Sequence, residues 1–452
     1  MSSDWQTLTH RKRCRTVGRV RHKIVEIAEL LVEHCRNDQR TDPLETLTAE
    51  LTPLCEALRY IGKRGPSILR TRKAGLGGRP VWLWGVRSEV QRVPLGDVLV
   101  LAAWNYPLLL PGVQIAQALA AGNRVWLKPA PGCEEVTAQM VTAFLMAGIP
   151  ADTLRLLPPD PVAAQQRIDA GVDLVVLTGG TKTGRSVMTR CAQTLTPSIM
   201  ELSGCDAVVL GPGADYRRVA DCVAFGLSFN GGATCIGPRR IIVSPSGHGP
   251  LVEALAKRLA DLPAVKLHRS ARDTAQHAVA EALRRGAVDI VRPQHKPSET
   301  NGAEMFPTVL DGVGGDWAIA NADLFAPVAS IITVETEEDA VGWVNRCPYR
   351  LAASVFGNPS WARRVAEKLN VGHVSINDLI FPTADPRVPF GGCGSSGFGV
   401  TRGPEGLLAM TRPKVVAKHR GGLYLHLQKR KASDYATLLG WLRFSHRRRW
   451  WN

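Results

Sequence analysis

The chain lacks any cysteine arrangement that would staple it or hold a metal. Its ten cysteines include no C-x-x-C pair, and none groups with histidine at zinc spacing. That sets aside a disulfide framework and a zinc module; no metal is expected, and the thiols are expected to be reduced, as in a cytosol. An unbroken apolar run is also missing. The longest candidate, Val93 to Ala121, is interrupted by Asp97, Asn105, Pro107 and Pro111, whereas a membrane span needs ~20 apolar residues. Met1 to Lys23 is polar and basic, without the apolar core of a secretory leader. No internal repeat is present. Acidic residues are scarce only at the ends. Residues 1–24 carry seven Arg/Lys and one acid, and residues 412–452 carry eleven and one. The net charge of +16 therefore belongs to two ends, and residues 25–411 are neutral with 38 charges of each sign. The basicity therefore says little about the active site, and no nucleic-acid partner is expected.

What the chain has is length and an ordinary globular balance. Its 452 residues, 45% hydrophobic and 21% charged, are enough for two or three domains, each with a sizeable core. Helical apolar spacing runs through 25–70, with Ile27, Leu30 and Leu31, then Leu51, Leu54 and Leu58. Residues 78–103 look like strands, and 112–121 like a helix opening after Pro111. From there strands and helices alternate. Arg124–Leu127, Val172–Leu177 and Ala207–Leu210 read as strands, with helices over Glu134–Ala147 and Thr183–Gln193. A second set of strands begins near Arg240–Val243 and continues through Val328–Val334, Ala352–Phe356 and His373–Ile376. Such alternation means βαβ units and parallel sheets, so two α/β domains in sequence are expected.

Several glycine-bearing stretches could carry chemistry. Thr178-Gly179-Gly180-Thr181-Lys182-Thr183-Gly184-Arg185 joins a buried strand to a helix, where bare backbone and a helix N-terminus suit a pyrophosphate. It nearly spells a P-loop, but Arg185 stands where the loop lysine belongs, which disfavours an ATPase. Taken alone it is equally an ordinary strand–helix turn. Gly392, Gly394 and Gly397 fit G-x-G-x-x-G without a leading strand or a following βαβ unit, and read as a structural loop. Cys235 follows Asn230-Gly231-Gly232-Ala233-Thr234, and Glu201 opens a similar loop, Glu201-Leu202-Ser203-Gly204.

Taken in order, the motifs resemble those of the aldehyde dehydrogenase superfamily over about residues 90–418. They are Ala103-Trp104-Asn105-Tyr106-Pro107, Lys128-Pro129-Ala130, the Thr178–Arg185 loop, Glu201–Gly204 and Asn230–Cys235. Asp323-Leu324-Phe325-Ala326-Pro327 and Pro389-Phe390-Gly391-Gly392 with Ser396–Gly399 complete the series. The resemblance implies two Rossmann-like α/β domains plus a small β oligomerisation element. It divides the chain into an NAD(P)-binding domain at 1–204 with a hairpin near 78–95, a catalytic domain at 205–400, and a returning strand at 401–418. It further implies a Cys235 nucleophile, a Glu201 general base and an Asn105 oxyanion donor. NAD or NADP would lie against Trp104, Lys128, Pro129, Gly179, Gly180, Thr181, Gly184, Leu202, Asp323 and Phe325. A homodimer or homotetramer is implied as well.

The chain departs from the family pattern at named places. Pro131 stands where a ribose-binding glutamate is usual, which removes repulsion against a 2′-phosphate and leaves NAD against NADP open. Asp323 replaces a glutamate, Ala233 a glutamine and Gly180 a serine, and the stretch from Val243 to Met305 is short. The Ile376-Asn377-Asp378 and Pro389–Gly394 segments are most similar to members acting on medium-chain, long-chain or aromatic aldehydes, so an apolar aldehyde is expected. Two other readings stay open: a CoA-acylating enzyme, which Glu201 argues against, and a non-catalytic protein of the same fold. Beyond residue 418 lies a basic extension, 419–452. There Tyr435, Leu438, Leu439 and Leu442 fall on one helical face after Ser433, between Lys429-Arg430-Lys431 and Arg447-Arg448-Arg449-Trp450-Trp451. Packing on the protein itself is the plain reading, and peripheral membrane contact through 429–451 is the alternative.

Overall fold

The computed structural model describes residues 5–37, 39–292, 304–421 and 424–446; the expected Arg447–Trp451 cluster lies outside them. Two compact units form, one from 1–70 with 92–412 and one from 71–91 with 413–452.

The larger unit is built on two sheets. The first has the order Gly397–Phe398, Ser198–Glu201, Leu174–Thr178, Asp97–Leu101, Arg124–Lys128, Leu154–Leu156. All neighbours are parallel except Gly397–Phe398, which runs antiparallel to Ser198–Glu201. After Asp97–Leu101 the chain builds outward on one side, then returns to build on the other. The strand order therefore reverses between Asp97–Leu101 and Leu174–Thr178, and a crevice opens at the carboxyl ends there. The second sheet has the order Val288–Asp289, Thr308–Asp311, Val328–Thr333, Pro238–Val243, Asp206–Leu210, Ala352–Phe356, His373–Ile376. It too is parallel apart from its first strand. Asp206–Leu210 and Pro238–Val243 are buried throughout, and the apolar runs Ala207–Leu210 and Ile241–Val243 within them show no alternation.

Helices cover the sheets, and one of them begins earlier than its sequence suggests. The helix after the first strand runs Leu109–Ala121, with Pro111 in its first turn. Proline is tolerated there because first-turn amides have no intrahelical partner. Two of those amides, Leu108 N–H and Leu109 N–H, instead donate to the Glu50 carboxylate at 2.6 and 3.0 Å. Every residue of this helix is buried, between the first sheet and the helices His10–Glu26 and Thr52–Ile68.

The smaller unit is a three-stranded sheet in the order Arg72–Lys73, Val86–Pro94, Thr411–His419. The hairpin expected near 78–95 takes a different form. Val81–Leu83 is a single helical turn, and Val86–Pro94 pairs with the earlier Arg72–Lys73. Gly75 and Gly78 take positive φ, 70° and 72°, in the connection between the two strands. The terminal helix spans Asp434–His446 and buries none of its residues. Its Trp441 meets Trp82 edge to face at 5.3 Å.

Candidate active site

Four parallel strands of the first sheet end at residues singled out in the sequence. Asp97–Leu101 leads into Trp104 and Asn105, Arg124–Lys128 ends on Lys128, Leu174–Thr178 opens the Gly179–Gly184 loop, and Ser198–Glu201 ends on Glu201. Pairing of Leu101 with Lys128 and of Thr178 with Glu201 sets these ends level. They border a cavity of about 810 Å³. Trp104, Asn105, Lys128, Gly179, Gly180, Glu201, Leu202, Cys235, Asp323 and Phe325 all line it. Pro129, Thr181 and Gly184 are not among its lining residues. Thr181 starts the helix Thr181–Gln193 and its hydroxyl donates to Ser395 O at 2.9 Å. Gly184 packs beneath Leu202, whose Cδ1 would lie 2.8 Å from any Cβ there.

The loop carrying Cys235 follows the helix Tyr216–Ser228. Asn230, Gly231 and Gly232 all take positive φ, at 52°, 59° and 75°, which turns the chain sharply into Cys235. A Cβ on Gly232 would stand 2.9 Å from Ala326 carbon, so only glycine fits. The loop is fixed from two sides. Arg239 donates to Gly232 O, Thr234 O and Ala326 O at 2.6, 3.3 and 2.5 Å. From the first sheet, Asn105 Nδ2 donates to Ala233 O at 2.9 Å, and Tyr106 and Thr234 hydroxyls meet at 2.7 Å. The Glu201–Gly204 loop abuts the same place, since a Cβ on Gly204 would collide with Cys235 O. The two motif loops are thus in backbone contact.

A buried ion pair supports this junction. Arg40 pairs with Glu50, and both are buried. The Arg40 guanidinium also donates to Asn105 O and to Asn230 Oδ1, the latter at 3.2 Å from Nη2. Asn230 Nδ2 donates to Asn105 O at 2.8 Å. One cation therefore links the N-terminal segment, the Asn105 loop and the Cys235 loop. None of this was visible in the sequence, where residues 40, 105 and 230 share no pattern.

Glu201 is buried at 4% exposure and fully engaged. Its Oε2 accepts from Gln114 Nε2 at 3.0 Å and Thr178 Oγ1 at 3.2 Å, and its Oε1 accepts from the Thr401 hydroxyl. Burial raises its pKa, opposed by Thr401, the Arg402 charge, Thr178 and Gln114. Burial, with Asp206 and Glu201 nearby, pushes the Cys235 thiol up to about 12, and Arg402 works against the shift. Burial also raises Asp323, against a hydrogen bond from Ser203 and the Arg239 charge, and lowers Lys128. Trp104 and Phe325 face each other across 6.2 Å. Pro131 lines the cavity near Lys128 and offers no carboxylate. Gly394 and Gly397 fall in two short strands, Cys393–Gly394 and Gly397–Phe398, rather than in a phosphate loop. All ten cysteines are free, and among the described residues no group of three His, Cys, Asp or Glu is placed to hold a metal.

Comparison with known proteins agrees with this architecture. The model of the aldehyde dehydrogenase family matches residues 1–416. A 4,4′-diapolycopene aldehyde oxidase from Methylomonas sp. is 30% identical over 90% of this chain and 78% of its own. A probable coniferyl aldehyde dehydrogenase from Pseudomonas aeruginosa is 31% identical over 82% and 79%. Among solved structures, a Mycobacterium tuberculosis aldehyde dehydrogenase complexed with NAD⁺ superposes with a TM-score of 0.85. It is 26% identical and covers 94% of this chain and 88% of that one. The chain belongs to the aldehyde dehydrogenase family and is an NAD(P)-dependent enzyme.

Proposed function

We propose that the chain oxidises an apolar aldehyde to a carboxylic acid, with Cys235 as nucleophile and Glu201 as general base. The observation that carries this reading is a single cavity holding both side chains at the abutment of their loops.

The residues present fit a dinucleotide. Gly180 caps the helix Thr181–Gln193 with no side-chain hydrogen bond, which leaves first-turn amides for an anion beside the lining residues Gly179, Lys182 and Thr183. Lys128 would hold a ribose hydroxyl, and Asp323, Phe325, Leu202 and Trp104 would take the nicotinamide end. When bound, the nicotinamide supplies the hydride acceptor.

The chain's own residues do the rest. At neutral pH a thiol held near 12 is mostly protonated, so the thiolate that attacks is a minor form in equilibrium with solvent. The sulfur adds to the aldehyde carbon to give a thiohemiacetal, whose oxyanion the Cys235 backbone N–H and the second Asn105 amide hydrogen would stabilise. One such donor contributes about 3–4 kcal/mol. After oxidation a thioester remains on Cys235. Glu201 then takes a proton from water, which attacks the thioester carbon, releases the acid and restores the thiol. Tyr106, Leu109, Phe225, Phe229, Ile236 and Phe390 supply the apolar lining that suits an apolar substrate.

The test is pre-steady-state formation of NADH or NADPH. Cys235→Ala gives none. Glu201→Gln gives one equivalent per subunit and then stalls, because acylation proceeds and deacylation does not. Steady turnover by Glu201→Gln at the wild-type rate overturns the assignment. For assembly, the exposed edge strand Thr411–His419 is the proposed subunit contact in a dimer or tetramer. The unburied helix Asp434–His446, after Lys429-Arg430-Lys431, is the proposed site of peripheral contact with an anionic membrane. Liposome flotation of full-length protein against a chain ending at Lys418 tests the second point, and equal binding by both removes it.

A further inference from the structure

Arg402 is a cation that the chemistry above does not use. It lines the cavity with Cys235 and Glu201, and several features hold it there. Its backbone sits at φ 59°, ψ 175°, a region that L-residues rarely adopt and that costs about 1–3 kcal/mol. The surrounding structure keeps it in place. Its N–H donates to Gln117 Oε1 at 3.1 Å, Nη1 donates to Thr383 O at 2.6 Å, and its guanidinium lies 4.8 Å over the Phe390 ring. Phe390 packs in the same small cluster as Cys235.

The guanidinium forms no ion pair among the described residues. Among the described residues no carboxylate oxygen comes within 4.0 Å of it, and its Nε and Nη2 make no hydrogen bond. Glu201 feels its charge, but the two form no ion pair, and the Glu201 oxygens accept from Gln114, Thr178 and Thr401. The other lysines and arginines of the lining, Lys128, Lys182 and Arg190, belong to the first strand and helix layer around the glycine loop. Arg402 is instead fixed by Thr383 and Phe390. A part-buried guanidinium that lines a cavity and forms no ion pair can receive an anion, since buried charges are ordinarily paired. Its planar fork suits a carboxylate.

We propose that Arg402 binds a carboxylate carried by the substrate, so that the enzyme takes aldehydes bearing an acid group on an apolar frame. This rests on the aldehyde oxidation proposed above and names its substrate class. No covalent step is added; the contribution is recognition and orientation of the aldehyde toward Cys235.

The experiment measures kcat/KM for 4-carboxybenzaldehyde against benzaldehyde, and for 4-oxobutanoate against butanal. Wild type favours the charged member of each pair. In Arg402→Gln the charged-to-neutral ratio falls about ten- to a hundredfold, the value of hydrogen bonds to a charged group; Arg402→Lys keeps part of it. A wild-type ratio near one, or a ratio that Arg402→Gln leaves unmoved, overturns the proposal while leaving the oxidation intact. A second measurement needs neither turnover nor a variant. Benzoate should protect Cys235 of the wild-type protein from iodoacetamide where benzamide at equal concentration does not. Equal protection by the two refutes the carboxylate receptor even if neither aldehyde is oxidised, the result that would sink the oxidation reading separately.

Discussion

The reactivity of Cys235 toward alkylation should be low at neutral pH and should climb with pH without levelling off. The thiol stands at about 12, raised by burial and by Asp206 and Glu201. Its thiolate fraction at pH 8 is then about one in ten thousand, against about a quarter for a free cysteine near 8.5. A more basic thiolate is intrinsically more nucleophilic, which recovers about one and a half powers of ten. The net expectation is alkylation roughly fifty- to a hundredfold slower than a free thiol at pH 8. Below the pKa each pH unit raises the thiolate fraction tenfold, so log rate should rise with a slope of about one from pH 7 to 10. The assay is iodoacetamide labelling of the cofactor-free protein, followed at the Cys235 peptide by mass spectrometry to separate it from the other nine cysteines. A plateau below pH 9, or a pH 7 rate equal to that of free cysteine, would refute the reasoning.

Two further outcomes follow from the support of the loops. Arg40→Met leaves Glu50 buried without its partner and strips donors from Asn105 O and Asn230 Oδ1; the expected loss is about 3–5 kcal/mol. Urea unfolding reads it, and an unchanged midpoint would deny the pair its supporting role. Gly204→Ala forces a methyl against Cys235 O, an overpacking of about 1–3 kcal/mol. It should depress acylation far more than it lowers affinity for NAD⁺, and the NAD⁺ Kd from fluorescence titration checks that separation.

Much of the scaffold could be read from the chain because strands such as Asp206–Leu210 and Ala352–Phe356 are buried on both faces and stand out as short, mostly apolar runs. Errors came where side chains from distant segments intervene. The helix at Leu109 starts before Pro111 because Glu50, nearly sixty residues earlier, accepts its first amides. One strand partner of Val86–Pro94 is Arg72–Lys73, a pair of exposed basic residues with no strand signal. The same limit applies to the site. Motif spacing points at Glu201 and Cys235, yet Gln114, Thr178 and Thr401, which hold Glu201, join it only through the folded sheet and the Gly397–Phe398 return. Arg402 carries no motif at all. Its meaning depends on what surrounds its guanidinium, which no local pattern encodes.

The most direct measurement is the mass of Glu201→Gln after brief mixing with an aldehyde and NAD⁺ and an acid quench. The account predicts a gain equal to the corresponding acyl group, mapped to the peptide containing residue 235. Unmodified protein after a burst of NADH, or an acyl group on any other cysteine, would contradict it.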